Sequence, residues 1–452
     1  MKTTEQFLSN LRNLGVNLRT EGNELRCQAP KGALTSDLRT ELAERKSEIL
    51  SFLQKAASCK QGASFQDSAG ILQYSEDQQE FRERLRTFLK KEVTPCADQW
   101  EKEGIVPKSV WKKMGQEGFL CTGVSSEYGG LGGDFRYSVI VAEEMSRTNH
   151  TGLALTLHSD IVVPYIEDYA SEELKRKYLP GCVSGEIVTA VAITEPGAGS
   201  DIFGISTSAD EQGETVIING SKTLISNGIN ADLVVLAAQN PYAEEKSLSL
   251  SLYLVEAGTP GFEKGDRLKK MGMHSQDTAE LFFSDCRIPK ANRLGEKGAG
   301  FCMLMEKLQQ ERLTCVITAV AMAERILETT LAHLKQEVPV SGGSLSNSQA
   351  VRFAIAEMAT EIRLGRAFLE KLVIDHAEKR NVVTEISMAK YWTAEMAKRV
   401  ADRCLDIFGN TGILEECPIV RTWRDVRAIP IFAGTSEIMK NIIAESILSF
   451  KS

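Results

Sequence analysis

The hydrophobic period of this chain changes twice, and that alternation restricts the fold more than any other feature. Apolar positions such as Phe81, Leu85, Phe88 and Leu89 follow a helical period from Ser75 to about Pro180. From Glu186 to about Gly295 the pattern shifts to short β runs: Val188–Ile193, Thr215–Asn219, Leu233–Ala237, Leu250–Val255 and Ala279–Phe283. Beyond Gly300 the helical period returns and persists almost to the end. Helices, then strands, then helices predict a three-part body around one cleft. The expected segments are a helical domain over 71–185, a β domain over 186–295 and a C-terminal helical domain over 296–452.

A smaller unit precedes this body. Phe7, Leu8, Leu11 and Leu14 share a helical face closed by Gly15. Val16–Arg19 and Leu25–Ala29 alternate as two strands around a Glu21-Gly22-Asn23 turn, and Thr35 or Ser36 caps a helix reaching Leu53. These features predict an αββα unit over 1–54. Residues 55–70 turn to Ala, Ser, Gln and Gly with little periodicity, as in a linker.

Composition excludes several classes. A net charge of −8 argues against a nucleic-acid partner. Ten cysteines and five histidines form no CxxC, zinc-spaced or HExxH pattern, so free thiols and no metal are expected. The start Met-Lys-Thr-Thr-Glu-Gln lacks a signal peptide's apolar core, and no run of about 18 apolar residues would span a membrane. The expected setting is the reducing cytoplasm.

Within the last helical region, Leu304, Leu308, Glu311, Cys315, Ala319 and Met322 fall on one face. A carboxylate on an inward face is costly unless it is paired or its charge is used. Glu311 is therefore either a structural ion-pair member or a reactive group. His150 and His158 lie in an apolar helical stretch and read as satisfied core histidines. The glycine-rich Tyr128–Gly133 reads as a structural loop.

Ala190-Val-Ala-Ile193-Thr194-Glu-Pro-Gly-Ala-Gly199-Ser200-Asp201 is a strand entering a glycine-rich loop, and it matches neither a P-loop nor a GxGxxG fingerprint. This stretch resembles the signature of the acyl-CoA dehydrogenase flavoproteins. Four further stretches resemble that family in order: Gly220–Gly228; Met271-Gly272 through Phe283 to Leu294-Gly295; Ile407-Phe408-Gly409-Asn-Thr-Gly412 with Arg424-Asp425; and Ala433–Ile438. The resemblance implies FAD, hydride transfer from the β-carbon of an acyl thioester, and removal of the α-proton by a glutamate. It assigns Ile193, Thr194, Gly199, Ser200, Leu224, Ile225, Ser226, Gln349, Asp406, Gly409, Thr435 and Glu437 to the cofactor, and Ser200, Arg312, Ala433 and Gly434 to the substrate.

Most family members carry the base immediately before Gly-Thr-Ser, where this chain has Ala433. The isovaleryl- and long-chain-type members supply it from a helix bearing Glu-Arg, which here corresponds to Glu311-Arg312. The resemblance thus makes Glu311 the base. Other departures are Leu224 for Trp, Ser226 for Thr, Asp406 for Gln, and a 337–343 loop without the family's Arg and Phe, which would alter contacts to a neighbouring subunit's FAD. The family also implies a homodimer or homotetramer and an electron-transfer flavoprotein as acceptor.

Residues 1–54 resemble the tubulysin-type docking domain of nonribosomal peptide and polyketide synthases. That likeness implies capture of the C-terminal tail of an upstream synthase protein by strand addition, with Arg19, Arg26 and Lys31 as basic contacts. Together the two resemblances predict a dehydrogenase acting on an acyl chain held by a carrier protein, with CoA as the alternative carrier. The competing readings are a flavin-dependent oxidase or hydroxylase and a docking scaffold whose flavin domain has decayed.

Overall fold

The computed structural model describes residues 7–8, 10–11, 15–21, 24–30, 33, 35–51, 70–245, 248–336 and 345–448. Leu14, the 22–23 turn, Lys31, Gly32, Leu53, most of the 55–70 segment and the 337–343 loop lie outside them, as does the side chain of Arg19. The chain divides into two compact units, Met1–Ala69 and Gly70–Ser452.

In the first unit β1 (Asn17–Glu21) pairs antiparallel with β2 (Glu24–Gln28), Asn17 facing Gln28 and Glu21 facing Glu24. The hairpin is closed by α1 (Ser36–Glu44), whose first free N–H groups are met by the Thr35 hydroxyl accepting from Leu38 N. Residues 46–51 are also helical. Phe7, Leu8, Leu11, Val16 and Ile49 form its core, and the Arg45 guanidinium lies 5.0 Å from the Phe7 ring centre.

The second unit begins with helices α2 (Glu76–Phe88), α3 (Ala97–Glu103), α4 (Lys108–Gln116), α5 (Phe135–Arg147), α6 (Val163–Tyr169) and α7 (Glu172–Ser184). A π-helical segment, Leu157–Val162, leads into α6. Pro180 does not end α7, although it has no N–H to give the Arg176 carbonyl, and both residues are exposed. The loop glycines are structural, since a Cβ on Gly130 would stand 2.0 Å from the Val124 carbonyl oxygen.

The sheet contains β3 (Thr189–Ala192), β4 (Ser208–Gln212), β5 (Thr215–Ile225), β6 (Leu233–Gln239), β7 (Leu250–Glu256), β8 (Phe262–Arg267), β9 (Ala279–Pro289) and β10 (Arg293–Leu294). Its order is β10-β7-β6-β4-β5-β9-β8, with β3 parallel to β6. The composition of β6 follows from its place: Leu233, Val235 and Ala237 pack into the helical core, while Val234, Leu236 and Ala238 pack into a second core on the other face. A strand covered on both sides reads as a continuous apolar run. The sequence pattern did not reveal β4 or β8, because Ser-Ala-Asp-Glu-Gln and Phe-Glu-Lys-Gly-Asp-Arg bury too few side chains to show a period.

The C-terminal region consists of α8 (Gly300–Gln336), α9 (Gln349–Ala377), α10 (Val383–Phe408), α11 (Val420–Asp425) and α12 (Ser436–Leu448). Helix α8 packs on α10, α9 and α5, and α12 packs on α10. None of the described helices is long and apolar enough to cross a membrane.

Candidate functional site

A cavity of about 470 Å³ lies where the sheet, α5, the π-helical segment, α8 and the chain preceding α12 meet. Of the residues singled out from the sequence, Ile193, Thr194, Gly199, Ser200, Leu224, Ile225, Ser226, Glu311, Ala433, Gly434 and Thr435 all line it. Segments more than 200 positions apart are thereby brought to one surface.

The strand-derived wall is held by charge. Glu195 and Ala198 exchange backbone hydrogen bonds of 2.9 and 3.1 Å, folding the glycine-rich loop back on itself. The Glu195 carboxylate accepts from Ser206 N at 2.7 Å, Ser206 Oγ at 2.6 Å, Thr207 N at 2.9 Å and Lys222 Nζ at 2.7 Å. Lys222 Nζ also donates to the Ile193 carbonyl at 3.0 Å. Both side chains of the pair are buried. Burial alone would raise the Glu195 carboxyl, yet Lys222 and the Ser206 and Thr207 donors bring it down to about 2. Glu195 thus fastens the loop to β4 and β5, which leaves Thr194 and Ser200 facing the cavity.

Two further features shape this wall. Space is open where a Cβ would stand on Gly197 and on Gly199. The β5–β9 register shifts between Lys222 and Ile225, and Leu224 there adopts φ +59°, presenting an exposed apolar side chain to the cavity. Thr194, Ser200 and Ser226 add neutral hydroxyls. An apolar face edged by neutral donors, with backbone accessible beside it, suits a flat heterocycle with amide edges.

The opposite wall is helical. Glu311 sits on α8 among the buried Leu308, Arg312 and Cys315 and opens onto the cavity. Among the described residues it makes no ion pair within 4 Å. The cations beside it are engaged elsewhere: Arg312 Nε donates to the Ala433 carbonyl at 3.3 Å, and the fully buried Lys390 Nζ donates to the Gly434 carbonyl at 2.5 Å. Desolvation pushes the Glu311 carboxyl up to about 7, against the opposing influence of Arg312 and Lys390. The loop that takes up these cations is unusual, because Ala433 has φ +56° and Gly434 φ +96°. For an alanine that conformation costs about 1–2 kcal/mol, offset here by the two bonds to its carbonyls.

Arg312 stands behind this loop and does not itself line the cavity. Gln349, Asp406, Gly409 and Glu437 are exposed and lie outside the cavity lining: Gln349 opens α9, Asp406 and Gly409 flank the end of α10, and Glu437 is in the first turn of α12. His150 and His158 are buried, and burial lowers both to about 4. His158 contacts Thr189 Oγ1 at 2.8 Å and the Cys182 carbonyl at 3.0 Å, as a neutral core histidine would.

Several contributors were given no role from sequence. Asp425 lines the cavity, accepts from Met273 N at 2.6 Å and Thr151 Oγ1 at 2.7 Å, and is pushed by burial up to about 6. It ties the β domain and the chain after α5 to the C-terminal region. Lys390 carried the same signal as Glu311, a charge at an inward helical position between Ala389 and Thr393. Nothing in their own pattern marked Ser146, Thr314 and Thr318 as cavity residues. The nine described cysteines are free thiols, and no cluster of three metal-ligating side chains occurs among the described residues.

Comparisons with known proteins agree with this architecture. Family models for the N-terminal, middle and C-terminal domains of acyl-CoA dehydrogenase match residues 75–186, 190–286 and 298–448. The model of the TubC N-terminal docking domain matches residues 4–55. The mitochondrial long-chain specific acyl-CoA dehydrogenase of Rattus norvegicus is 41% identical over 377 residues, which cover 83% of this chain and 87% of that protein. An acyl-CoA dehydrogenase structure from Geobacillus kaustophilus shares 49% identity, with a TM-score of 0.82 over 84% of this chain and all of that one. The prolyl acyl carrier protein oxidase AnaB is 27% identical, with a TM-score of 0.76 over 83% of this chain and all of that one. The chain belongs to the acyl-CoA dehydrogenase family of flavin-dependent oxidoreductases and carries a TubC-type docking domain at its N-terminus.

Proposed function

We propose that this protein is an FAD-dependent α,β-dehydrogenase of acyl thioesters in which Glu311 is the base. The observation that carries the reading is the pairing of an unpaired, desolvated Glu311 on one wall with Ala433, which cannot take a proton, in the loop before Gly434-Thr435. The strand wall, with Leu224 and the Thr194, Ser200 and Ser226 hydroxyls, fits the ring system of FAD. When bound, FAD would supply acceptance of the hydride from the β-carbon. The protein's own part is to hold the acyl chain between the walls and take the α-proton at a Glu311 carboxylate oxygen. A carboxyl brought up to about 7 is a stronger base for a weak carbon acid than an ordinary glutamate. Thr435, two residues after Ala433, lines the cavity and would offer its backbone N–H to the thioester oxygen, where negative charge develops.

The acyl chain is proposed to arrive on a carrier protein of a polyketide or nonribosomal peptide pathway. The support is the docking unit, whose β1 and β2 pair only with each other among the described residues, as strand addition by a partner's C-terminal tail would require. Docking would raise the local concentration of the carrier. In the full-length protein, turnover of an acyl-carrier substrate should exceed that of the same protein lacking residues 1–60, while turnover of small free thioesters is unaffected. Equal loss on both substrates, or on neither, sinks the carrier assignment.

A second reading, oxidation with oxygen as acceptor in place of an electron-transfer flavoprotein, is favoured by the likeness to AnaB, named as an oxidase. Oxygen consumption during turnover decides between the two. A homodimer or homotetramer is also proposed, on the exposed Phe353 and Leu364 of α9 and Ile447 and Leu448 of α12.

A further inference from the structure

The hydroxyls of the helical wall differ from those of the strand wall in where their protons go. Ser146 Oγ donates to the Ala142 carbonyl at 2.7 Å, Thr314 Oγ1 to the Gln310 carbonyl at 3.0 Å, and Thr318 Oγ1 to the Thr314 carbonyl at 3.0 Å. Thr151 Oγ1 donates to Asp425 Oδ2 at 2.7 Å. All four line the cavity. A hydroxyl has one proton and two lone pairs, so each of these oxygens, while so bonded, offers acceptor capacity in place of its proton. Cys315 is buried, and its thiol is a weak donor. At these four positions the wall therefore presents acceptors, whereas Thr435 Oγ1 accepts from Ile438 N and keeps its proton, and no hydrogen bond engages the Thr156, Thr194, Ser200 or Ser226 hydroxyls among the described residues.

The acceptors have a definite height. Thr314 and Thr318 are three and seven residues beyond Glu311, on the same face of α8, or about 5 and 10 Å along its axis. A purely aliphatic chain would cover these oxygens without using them. A donor on the chain would pair with them, and a desolvated neutral hydrogen bond is worth about 1 kcal/mol net, or roughly fivefold in affinity.

We infer that the acyl group this cavity selects carries a hydrogen-bond donor, a hydroxyl or an amide N–H, beside Thr314 and Thr318, about four to eight bonds beyond the carbon that faces Glu311. This inference rests on the proposed reading of the cavity as an acyl-thioester site and adds the substrate class. The charge of the wall agrees with a neutral donor: Glu311 is the acid nearest Thr314 on α8, and Asp425 is already engaged by Thr151 and Met273.

The test uses FAD-loaded Glu311→Gln with the docking unit retained, in which turnover is slowed enough for binding to be read by anaerobic calorimetry. The probes are CoA thioesters of equal chain length bearing, at that distance, a methylene, a hydroxyl, its methyl ether, a secondary amide or its N-methyl counterpart. At least one donor probe should bind roughly five- to tenfold tighter than its methylated counterpart. The difference should vanish when Thr314→Val and Thr318→Val are combined. Thr314→Val and Thr318→Val, introduced singly, should each shrink it and serve if the double variant does not fold. The hydroxyl and amide arms tell which donor is preferred. Binding without discrimination, or discrimination that survives the substitutions, overturns the inference alone. If no thioester binds the loaded protein, the proposed function fails first and this inference falls with it.

Discussion

The two walls of the cavity are built by different means. The strand wall comes from two short stretches of sequence, its loop is pinned by one buried ion pair, Glu195–Lys222, and its functional groups are neutral hydroxyls and backbone. The helical wall is assembled from α5, α8 and the chain before α12, and its distinguishing group is a carboxylate deprived of a cation. In the first wall charge is neutralised to fix geometry. In the second, Arg312 and Lys390 are drawn off to the 433–434 carbonyls, leaving Glu311 available. A buried charge holds structure where it is paired and is reactive where its partners are engaged elsewhere.

The largest expected effect removes the distinction. Glu311→Gln should slow anaerobic flavin bleaching by an acyl thioester about 10³-fold while the protein remains folded and yellow. Adding Ala433→Glu to that variant moves a carboxylate to the neighbouring loop and should restore a measurable part of the rate. If Glu311→Gln bleaches at the wild-type rate, the helical wall holds no base.

Lys222→Met tests the other wall. It strands the Glu195 carboxylate in a buried site and should cost about 3–5 kcal/mol of stability, read by denaturant unfolding, together with faster flavin loss on dilution. A flavin that stays bound as tightly as in wild type would mean the ion pair does not hold the loop.

The pH response should separate the walls further. Glu311 must be ionised to accept a proton, so the bleaching rate should climb as pH rises through about 7. Its effect on stability runs the other way. A carboxyl raised from its usual 4.5 contributes stability that is fully present below 4.5 and is lost as pH rises through about 7. The thermal midpoint of Glu311→Gln should therefore gain on that of wild type as pH rises from about 4.5 to about 7, and the gain should level off above that. Glu195, lowered to about 2, should make the opposite contribution: its stabilisation is present above the usual 4.5 and is lost only as pH falls towards about 2. The smallest effect is expected from Ala433→Gly, which relieves the left-handed backbone and should raise stability by about 0.5–1 kcal/mol. A loss of stability there would mean the alanine methyl packs usefully on the cavity.

The strand wall was legible because each of its parts lies within a short motif: Ile193 to Ser200 and Leu224 to Ser226 line the cavity as their sequence context implied. Glu311 was legible for a different reason, as a charge out of place in an apolar period. Lys390 gave the same kind of signal but pointed to no chemistry until its bond to Gly434 was seen. The polar strands β4 and β8 escaped notice because strands with few buried side chains have almost no period to detect. Gln349, Asp406, Gly409 and Glu437 carry motif resemblance yet sit outside this cavity's lining, a placement that motif spacing does not encode.

The sequence by itself determined the helix–sheet–helix order, the docking-type leader, the family and the odd carboxylate, because periodicity and motif spacing are properties of neighbours along the chain. Tertiary structure decided that Glu311 has no ion-pair partner among the described residues, that Arg312 and Lys390 serve the Ala433–Gly434 loop, and that the Thr314 and Thr318 hydroxyls turn acceptors to the cavity. Those outcomes depend on which groups from distant segments compete for the same hydrogen bonds in a desolvated space. One-dimensional spacing does not encode that competition.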